Sequence, residues 1–289
     1  MMNILLNENS TSMVNQIYGF SEPANDHMLN IIDMYHNMCA TLGLSMYLIG
    51  FIMILALDLF NANVNIYPRY FKKWEENTID IFIVILPLVI ILYLAIPAVG
   101  YIIQADALMQ YAYPSVTVEI VAHQWYWTYY LDCMQNPYVL NYIQSINSGK
   151  PITYNEFVLE FNQFIDVDAT GPYKYLLVTR RLVLPANEYI RCLITSEDVI
   201  HSFALPQLGI KVDAIPGRTQ VFLLYADKPG IYYGQCSELC GVNHAFMPIS
   251  IEFVEQHEFY NWYMKNIIVT PYRLLIKIIE NYIKKSLQC

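Results

Sequence analysis

Two stretches of this chain carry no charge over the length of a membrane crossing. Met38 to Leu57 reads "MCATLGLSMYLIGFIMILAL", and Ile81 to Gln104 reads "IFIVILPLVIILYLAIPAVGYIIQ". An α-helix of roughly 20 apolar residues bridges the hydrocarbon layer, so both runs are long enough to span it. Pro87 and Pro97 would break a soluble helix but are tolerated in lipid, where neighbouring groups satisfy the freed backbone. Composition agrees. Only 14% of residues are charged, against about 25% in soluble domains, and the 25 tyrosines suit surfaces that are half apolar and half wet.

Orientation follows from the basic residues. The connecting loop, 58–80, carries Arg69, Lys72 and Lys73, whereas residues 1–37 hold neither Lys nor Arg. Cytoplasm-like loops are enriched in Lys and Arg, which puts both termini on the opposite face. In a mitochondrion that face is the intermembrane space. The basic n-region of a secretory signal is missing, so the first run is expected to be a retained span.

Beyond Asp106 the pattern changes. "VTVEIVAHQWYWTYYL" (116–131), "YKYLLVTRRLVLP" (173–185), "EYIRCLITSEDV" (188–199), "TQVFLLYAD" (219–227), "GIYYGQC" (230–236) and "MPISIEFV" (247–254) are short apolar runs separated by Pro, Gly and Asp. Such punctuation reads as a β-sandwich or barrel. No helix-length period interrupts the runs from 173 to 254, which argues against a βαβ fold. The organisation expected is an N-terminal extension (1–37), a transmembrane hairpin (38–104), an all-β domain (105–262) with an insertion near 134–157, and a tail (263–289). In the tail, Leu274, Leu275, Ile278, Ile279, Tyr282 and Ile283 recur at helical intervals among Arg273, Lys277, Lys284 and Lys285, the pattern of a basic amphipathic helix.

The net charge of −9 excludes a nucleic-acid binder, which needs a basic face. Four of the six cysteines, Cys39, Cys133, Cys192 and Cys289, are scattered, so no dense disulfide framework is expected. The other two belong to "GQCSELCGVNHAFMP" (234–248), spaced C-x3-C-x3-H-x2-M. Thiolate, imidazole and thioether donors on one short loop are soft ligands. Thioether suits copper, while a Cys2His2 set with His201 of "SEDVIHSF" also suits zinc. On spacing alone, zinc, a Cys236–Cys240 disulfide and copper all remain open. A mononuclear blue-copper site uses a single Cys. Two thiolates with His201, His244, Met247 and a loop carbonyl would instead serve two coppers.

"VTVEIVAHQWYWTYY", "TSEDVIHSFALPQLGIKVDAIPGR" and "GIYYGQCSELCGVNHAFMPISIE", together with "ILPLVIILYLAIPAV" in front, resemble the cytochrome c oxidase subunit II family over roughly residues 38–262. The resemblance implies a membrane-anchored, cupredoxin-like Greek-key β-barrel behind a two-helix hairpin, holding the dinuclear copper A centre. Carried over, Cys236 and Cys240 bridge the two copper ions. His201 and His244 each ligate one, and Met247 and the carbonyl of Glu238 are axial. The Glu238 carboxylate would bind a magnesium ion shared with subunit I, a sensible task for a hard oxygen donor. Trp125 would lie over the centre where cytochrome c docks and electrons enter. The function implied is that of cytochrome c oxidase, an enzyme, through its subunit II: electrons pass from cytochrome c to the subunit I haem, for oxygen reduction coupled to proton pumping. The setting implied is the mitochondrial inner membrane, with lipid and other oxidase subunits as partners and the copper domain in the intermembrane space.

Between Ala105 and Val254, 14 acidic residues face 8 basic ones, an excess that steers a cationic partner. Asp198 matches a docking acid of the family, and Asp80 stands where a glutamate at the mouth of a proton pathway is usual. Two departures stand out. Phe203 replaces a usual Trp, losing an indole N–H. The run after "HQWYW", usually acid-rich, is "TYYLDCMQN", with Asp132 as its one acid and, beside Asp198, a second candidate docking acid. Two rival readings fit less well. A thioredoxin-like copper chaperone would place its histidine downstream of the cysteines, and a quinol-oxidase subunit would lack the copper ligands.

Overall fold

A computed structural model of the chain describes residues 19–61, 72–133, 139–141, 158–171 and 174–267. The chain divides into two units, Leu29–Gln110 and the remainder. The first is built from α1 (Asp26–Leu59) and α2 (Lys73–Tyr111). Both helices are long and apolar enough to cross a membrane. Within the chain itself α1 buries only Met28 and α2 buries nothing, so these apolar surfaces need a non-aqueous surrounding. Helix α2 runs unbroken through Pro87 and Pro97. Both helices overrun the uncharged stretches: α1 starts at Asp26 and α2 continues to Tyr111.

The start of α1 is fixed by Asn25. Its Oδ1 accepts the Met28 N–H at 2.8 Å, as an N-cap does. Its Nδ2 donates to the Tyr225 carbonyl at 2.8 Å. Next to it the Ala24 N–H donates to the Gln207 carbonyl at 2.9 Å, and the Ala24 carbonyl accepts from Asp227 N at 3.0 Å. Residues 24–25 are therefore hydrogen-bonded into the β domain.

Among the described residues that domain has ten strands: β1 (Val116–His123), β2 (Tyr126–Asp132), β3 (Leu159–Gln163), β4 (Leu182–Pro185), β5 (Ile190–Ser196), β6 (His201–Leu205), β7 (Ile210–Ala214), β8 (Gln220–Leu224), β9 (Gly230–Cys236) and β10 (Pro248–Val254). They form two five-stranded sheets, ordered β3-β2-β1-β5-β8 and β4-β10-β9-β6-β7. The chain passes repeatedly from one sheet to the other, as expected of a cupredoxin-like Greek key. The β1–β5 and β4–β10 pairs are parallel and the rest antiparallel. One hydrophobic core joins the sheets. Trp127 of β2 meets Phe203 of β6 edge-on, centroids 5.2 Å apart, and Phe203 continues to Phe222 of β8.

The core's buried amide is fully employed. Gln163 Nε2 donates to the carbonyls of Arg180 and Ser250, each at 2.9 Å, while its Oε1 accepts from Tyr129 Oη and Ser250 N. A buried polar group with all its bonds made specifies how the sheets register instead of weakening them. After β10, a helix over 256–267 (α3) closes one end, placing Phe259, Tyr263 and Ile267 at i, i+4 and i+8 in the core. The basic amphipathic helix expected in the tail lies outside the described residues, as does nearly all of the 134–157 insertion.

Three differences from the sequence reading have local causes. The run 116–131 is a hairpin, turning at Gln124–Trp125 so that His123 faces Tyr126. Residues 174–181 contribute turns and a bridge before β4 begins. "HSFAL" and "IKVDA" are strands the reading did not assign. Every residue of β6 is buried, so it shows none of the alternation by which a half-buried strand is read.

β6 and β9 approach closely because Gly234 has no side chain: a Cβ there would stand 1.9 Å from the Ala204 carbonyl oxygen. Gly234→Ala is expected to destabilise the domain by roughly 2–3 kcal/mol, and chemical denaturation monitored by circular dichroism measures the shift.

Candidate metal centre

The parallel β1–β5 pairing brings the ends of both strands together, with Ala122 opposite Ser196. The same end of the sandwich therefore carries the β1–β2 turn, the β5–β6 loop (197–200) and the β9–β10 loop (237–247). β6 opens on His201 and β9 closes on Cys236, with Phe203 paired to Cys236. The ligand loop is tied at its base by Ser237 N to the Ser202 carbonyl at 3.0 Å and Cys236 N to the Met247 carbonyl at 3.1 Å.

These constraints bring His201, Cys236 and Cys240 together, each offering one donor atom within 4.8 Å of the others, and all three are buried. The two sulfurs are 3.9 Å apart. His201 Nδ1 is 3.9 Å from Cys236 Sγ, and His244 Nδ1 is 3.4 Å from Cys240 Sγ. The Glu238 carbonyl lies 3.4 Å from Cys236 Sγ, and Met247 is buried. The donors fit a soft, thiolate-rich metal set. Each imidazole turns Nδ1 to one sulfur, and the two sulfurs stand side by side between them.

The environment of His201 is already arranged for a ligand. Its Nε2 is 2.8 Å from Asp198 Oδ1, which leaves Nδ1 to face the sulfurs, as carboxylate partners do for metal-binding histidines. Trp127 lies edge-on to the ring, centroids 6.2 Å apart. Asp198 also accepts from Gln124 N at 2.6 Å, through Oδ2, and from Val199 N at 2.6 Å, through Oδ1. Burial opposes ionisation of Asp198, but the bonds from His201, Val199 and Gln124 outweigh it and hold the carboxyl below its ordinary value. The thiols behave as a pair. Burial opposes the thiolate at both sulfurs. At Cys236 the bonds from His201 and the backbone win, and its thiol is lowered. Burial and the neighbouring Cys236 charge raise Cys240.

Trp125 packs against this loop. Its Nε1 donates to the Cys240 carbonyl at 3.2 Å, and Gln124 Nε2 donates to the same oxygen at 2.8 Å. Gly241, at φ +118°, makes room for both: a Cβ there would meet Trp125 Cζ2 at 3.2 Å and Gln124 Nε2 at 3.3 Å. Sequence reasoning missed Gln124 and this glycine, although both stand inside the quoted motifs.

The remaining expected site residues are spread out. Glu238 is exposed. Asp80 is exposed on α2, immediately before the uncharged run. Asp198 is exposed, and its two carboxylate oxygens accept from His201, Val199 and Gln124. Asp132 needs correction as a docking acid. It is buried at the far end of β2 from Trp125, about 20 Å away along a seven-residue strand. Phe203, in place of the usual Trp, is wholly buried.

Comparison with known proteins bears on what this cluster belongs to. A sequence profile described as cytochrome c oxidase subunit II, periplasmic domain, matches residues 116–254. Cytochrome c oxidase subunit 2 of Zea mays is 34% identical over 252 residues, spanning 87% of this chain and 90% of the relative. That of Cyanidium caldarium is 34% identical over 254 residues, spanning 86% and 91%. Among solved structures, the periplasmic domain of subunit II of cytochrome oxidase of Bradyrhizobium japonicum is 38% identical. It aligns with a TM-score of 0.42 over 53% of this chain and 94% of that one.

Asp198→Ala frees His201 Nε2 while leaving every proposed metal donor in place. Copper affinity is expected to fall about 10–100-fold, measured by competition with a chelator of known affinity.

Proposed function

Because the chain belongs to the cytochrome c oxidase subunit II family, we propose that its β domain holds a dinuclear copper A centre that receives electrons from cytochrome c and delivers them to the haem of subunit I. The chain is a subunit of cytochrome c oxidase, and the chemistry on oxygen belongs to its partner. The observation that carries the copper reading is the convergence of His201, Cys236 and Cys240 on one buried point, with His244 and the Glu238 carbonyl on its flanks.

In this reading Cys236, Cys240, His201, His244, Met247 and the Glu238 carbonyl would together hold two copper ions. When bound, two coppers sharing charge through sulfur supply a one-electron relay. The protein's part is to keep its donors still. β6 and β9 fix His201 and Cys236 on one seam, Asp198 fixes the imidazole, and the two rungs at the base of the loop fix its mouth. A rigid ligand frame leaves little to reorganise when an electron arrives. The exposed Glu238 carboxylate is free to serve as the magnesium ligand shared with subunit I, since its backbone and side chain point to different tasks.

Trp125 is the residue through which electrons enter. Its indole touches the Cys240 peptide on one side and is part-exposed on the other. The acidic surplus of the chain suits a basic donor such as cytochrome c. The two apolar helices support a membrane setting, and a Glycine max relative described as cytochrome c oxidase subunit 2, mitochondrial, supports the inner mitochondrial one, with the copper domain in the intermembrane space. Asp80, just ahead of the uncharged run of α2, is the candidate for the mouth of the proton path.

Loading the chain with copper in detergent is expected to give two coppers per chain sharing one unpaired electron by electron paramagnetic resonance. A single zinc, or a copper signal localised on one nucleus, would sink the reading. Trp125→Phe is expected to slow electron transfer from cytochrome c by at least about tenfold, with the copper spectrum preserved. Stopped-flow reduction measures the first and absorption the second, and loss of copper would make the residue structural.

A further inference from the structure

Gln124 is hydrogen-bonded both to Asp198, which holds His201, and to the peptide of Cys240. Its backbone N–H donates to Asp198 Oδ2 at 2.6 Å, and Asp198 holds His201 through its other oxygen at 2.8 Å. Its side-chain Nε2 donates to the Cys240 carbonyl at 2.8 Å, beside the longer indole bond of Trp125 at 3.2 Å. The carbonyl belongs to the peptide of a sulfur ligand. Fixing it limits rotation of the Cys240 backbone and hence the direction of its sulfur.

The space around these atoms is shaped for the same contact. Gly241 follows Cys240 in a left-handed conformation, and any Cβ there would press on the Gln124 amide and the Trp125 ring. The glycine is needed where the turn residues come closest to the loop backbone, so the close approach is built into both segments. The indole alone would hold the carbonyl by one bond, leaving the ring to pivot about it. Two donors from adjacent residues on one oxygen fix the ring's tilt as well as its distance.

We propose that Gln124 is a positioning residue: its amide locks the Trp125 indole against the Cys240 carbonyl while its backbone ties the same turn to the Asp198–His201 pair, so that the path for electrons into the centre has one geometry. The proposal rests on the reading of Trp125 as the residue through which electrons enter, but its geometric part stands without metal. A lost hydrogen bond changes an opening equilibrium about three- to tenfold, and that is the effect sought.

The experiment uses the full chain in detergent, metal-free and copper-loaded. Gln124→Met keeps the length and removes the donor. Gln124→His restores an N–H at the same reach from Cβ. In the metal-free chain, Gln124→Met is expected to speed both solvent exchange of the Trp125 indole N–H and alkylation of Cys240 by about three- to tenfold, with alkylation of the core thiol Cys192 unchanged. Gln124→His is expected to return both towards the parent. In the loaded oxidase, Gln124→Met lowers kcat for cytochrome c oxidation and leaves KM and the copper spectrum as they were. Unchanged exchange and alkylation overturn the proposal. So does a raised KM at constant kcat, which makes Gln124 a docking contact, or faster alkylation of Cys192 as well, which makes its role one of general stability. Should Gln124→Met fail to fold, Gly241→Ala, which crowds the same amide, is expected to give the same exchange pattern. Failure of the parent chain to take up copper would overturn the copper reading, while the metal-free measurements would still decide the part played by Gln124.

Discussion

Everything at the functional end of the β domain hangs on the seam between β6 and β9. Gly234 lets the two backbones come so close that a single added carbon would collide with the Ala204 carbonyl. That approach sets Phe203 opposite Cys236 and brings the first residue of one strand, His201, beside the last residue of the other. An imidazole and a thiolate separated by 35 positions in the chain thus become neighbours. Backbone ladders hold them, and no flexible side chain is needed to bridge the gap. The second cysteine and second histidine arrive on the loop that leaves β9 and returns as β10, tied at its base by Met247.

The other ligand constraints radiate from that seam. Trp127, edge-on to both Phe203 and His201, forms with Phe203 an aromatic floor that one strand of each sheet supplies. Asp198 closes the open side of the ring, and Gln124 links Asp198 to the Cys240 peptide of the ligand loop. The proposed electron-passing centre would gain from this: strands and hydrogen bonds determine donor positions, and the donors have little freedom to follow a change in charge.

Much of this was written in the sequence, but unevenly. The uncharged runs marked both helices, because lipid demands length and lack of charge, and neither depends on distant contacts. Their ends were not marked. The start of α1 is set by Asn25 through partners some 180 to 200 positions away, which no local pattern can display. The cluster that joins His201 to Cys236 and Cys240 was legible because a dense group of soft donors is rare and its spacing is local, with His201 as a second nearby signal. β6 was hidden by the burial of both its faces. Asp132 misled because an acid next to an aromatic motif in sequence looks adjacent in space, whereas a β-strand carries it away to the opposite end of the domain. Gln124 was overlooked because its value lies in two contacts, 74 and 116 positions distant.

The bonds that Ala24 and Asn25 make to residues 207, 225 and 227 have a topological meaning. The chain leaves the surface of the β domain at Asp26 and comes back to it at Ser115, having passed through α1 and α2 in between. A path that starts and finishes on one surface crosses any intervening bilayer an even number of times. The short N-terminal clasp therefore ties the start of the helical segment to the same domain that follows it, so the segment begins and ends on one body. It is also among the last contacts to form, since its partners are made some two hundred residues after it.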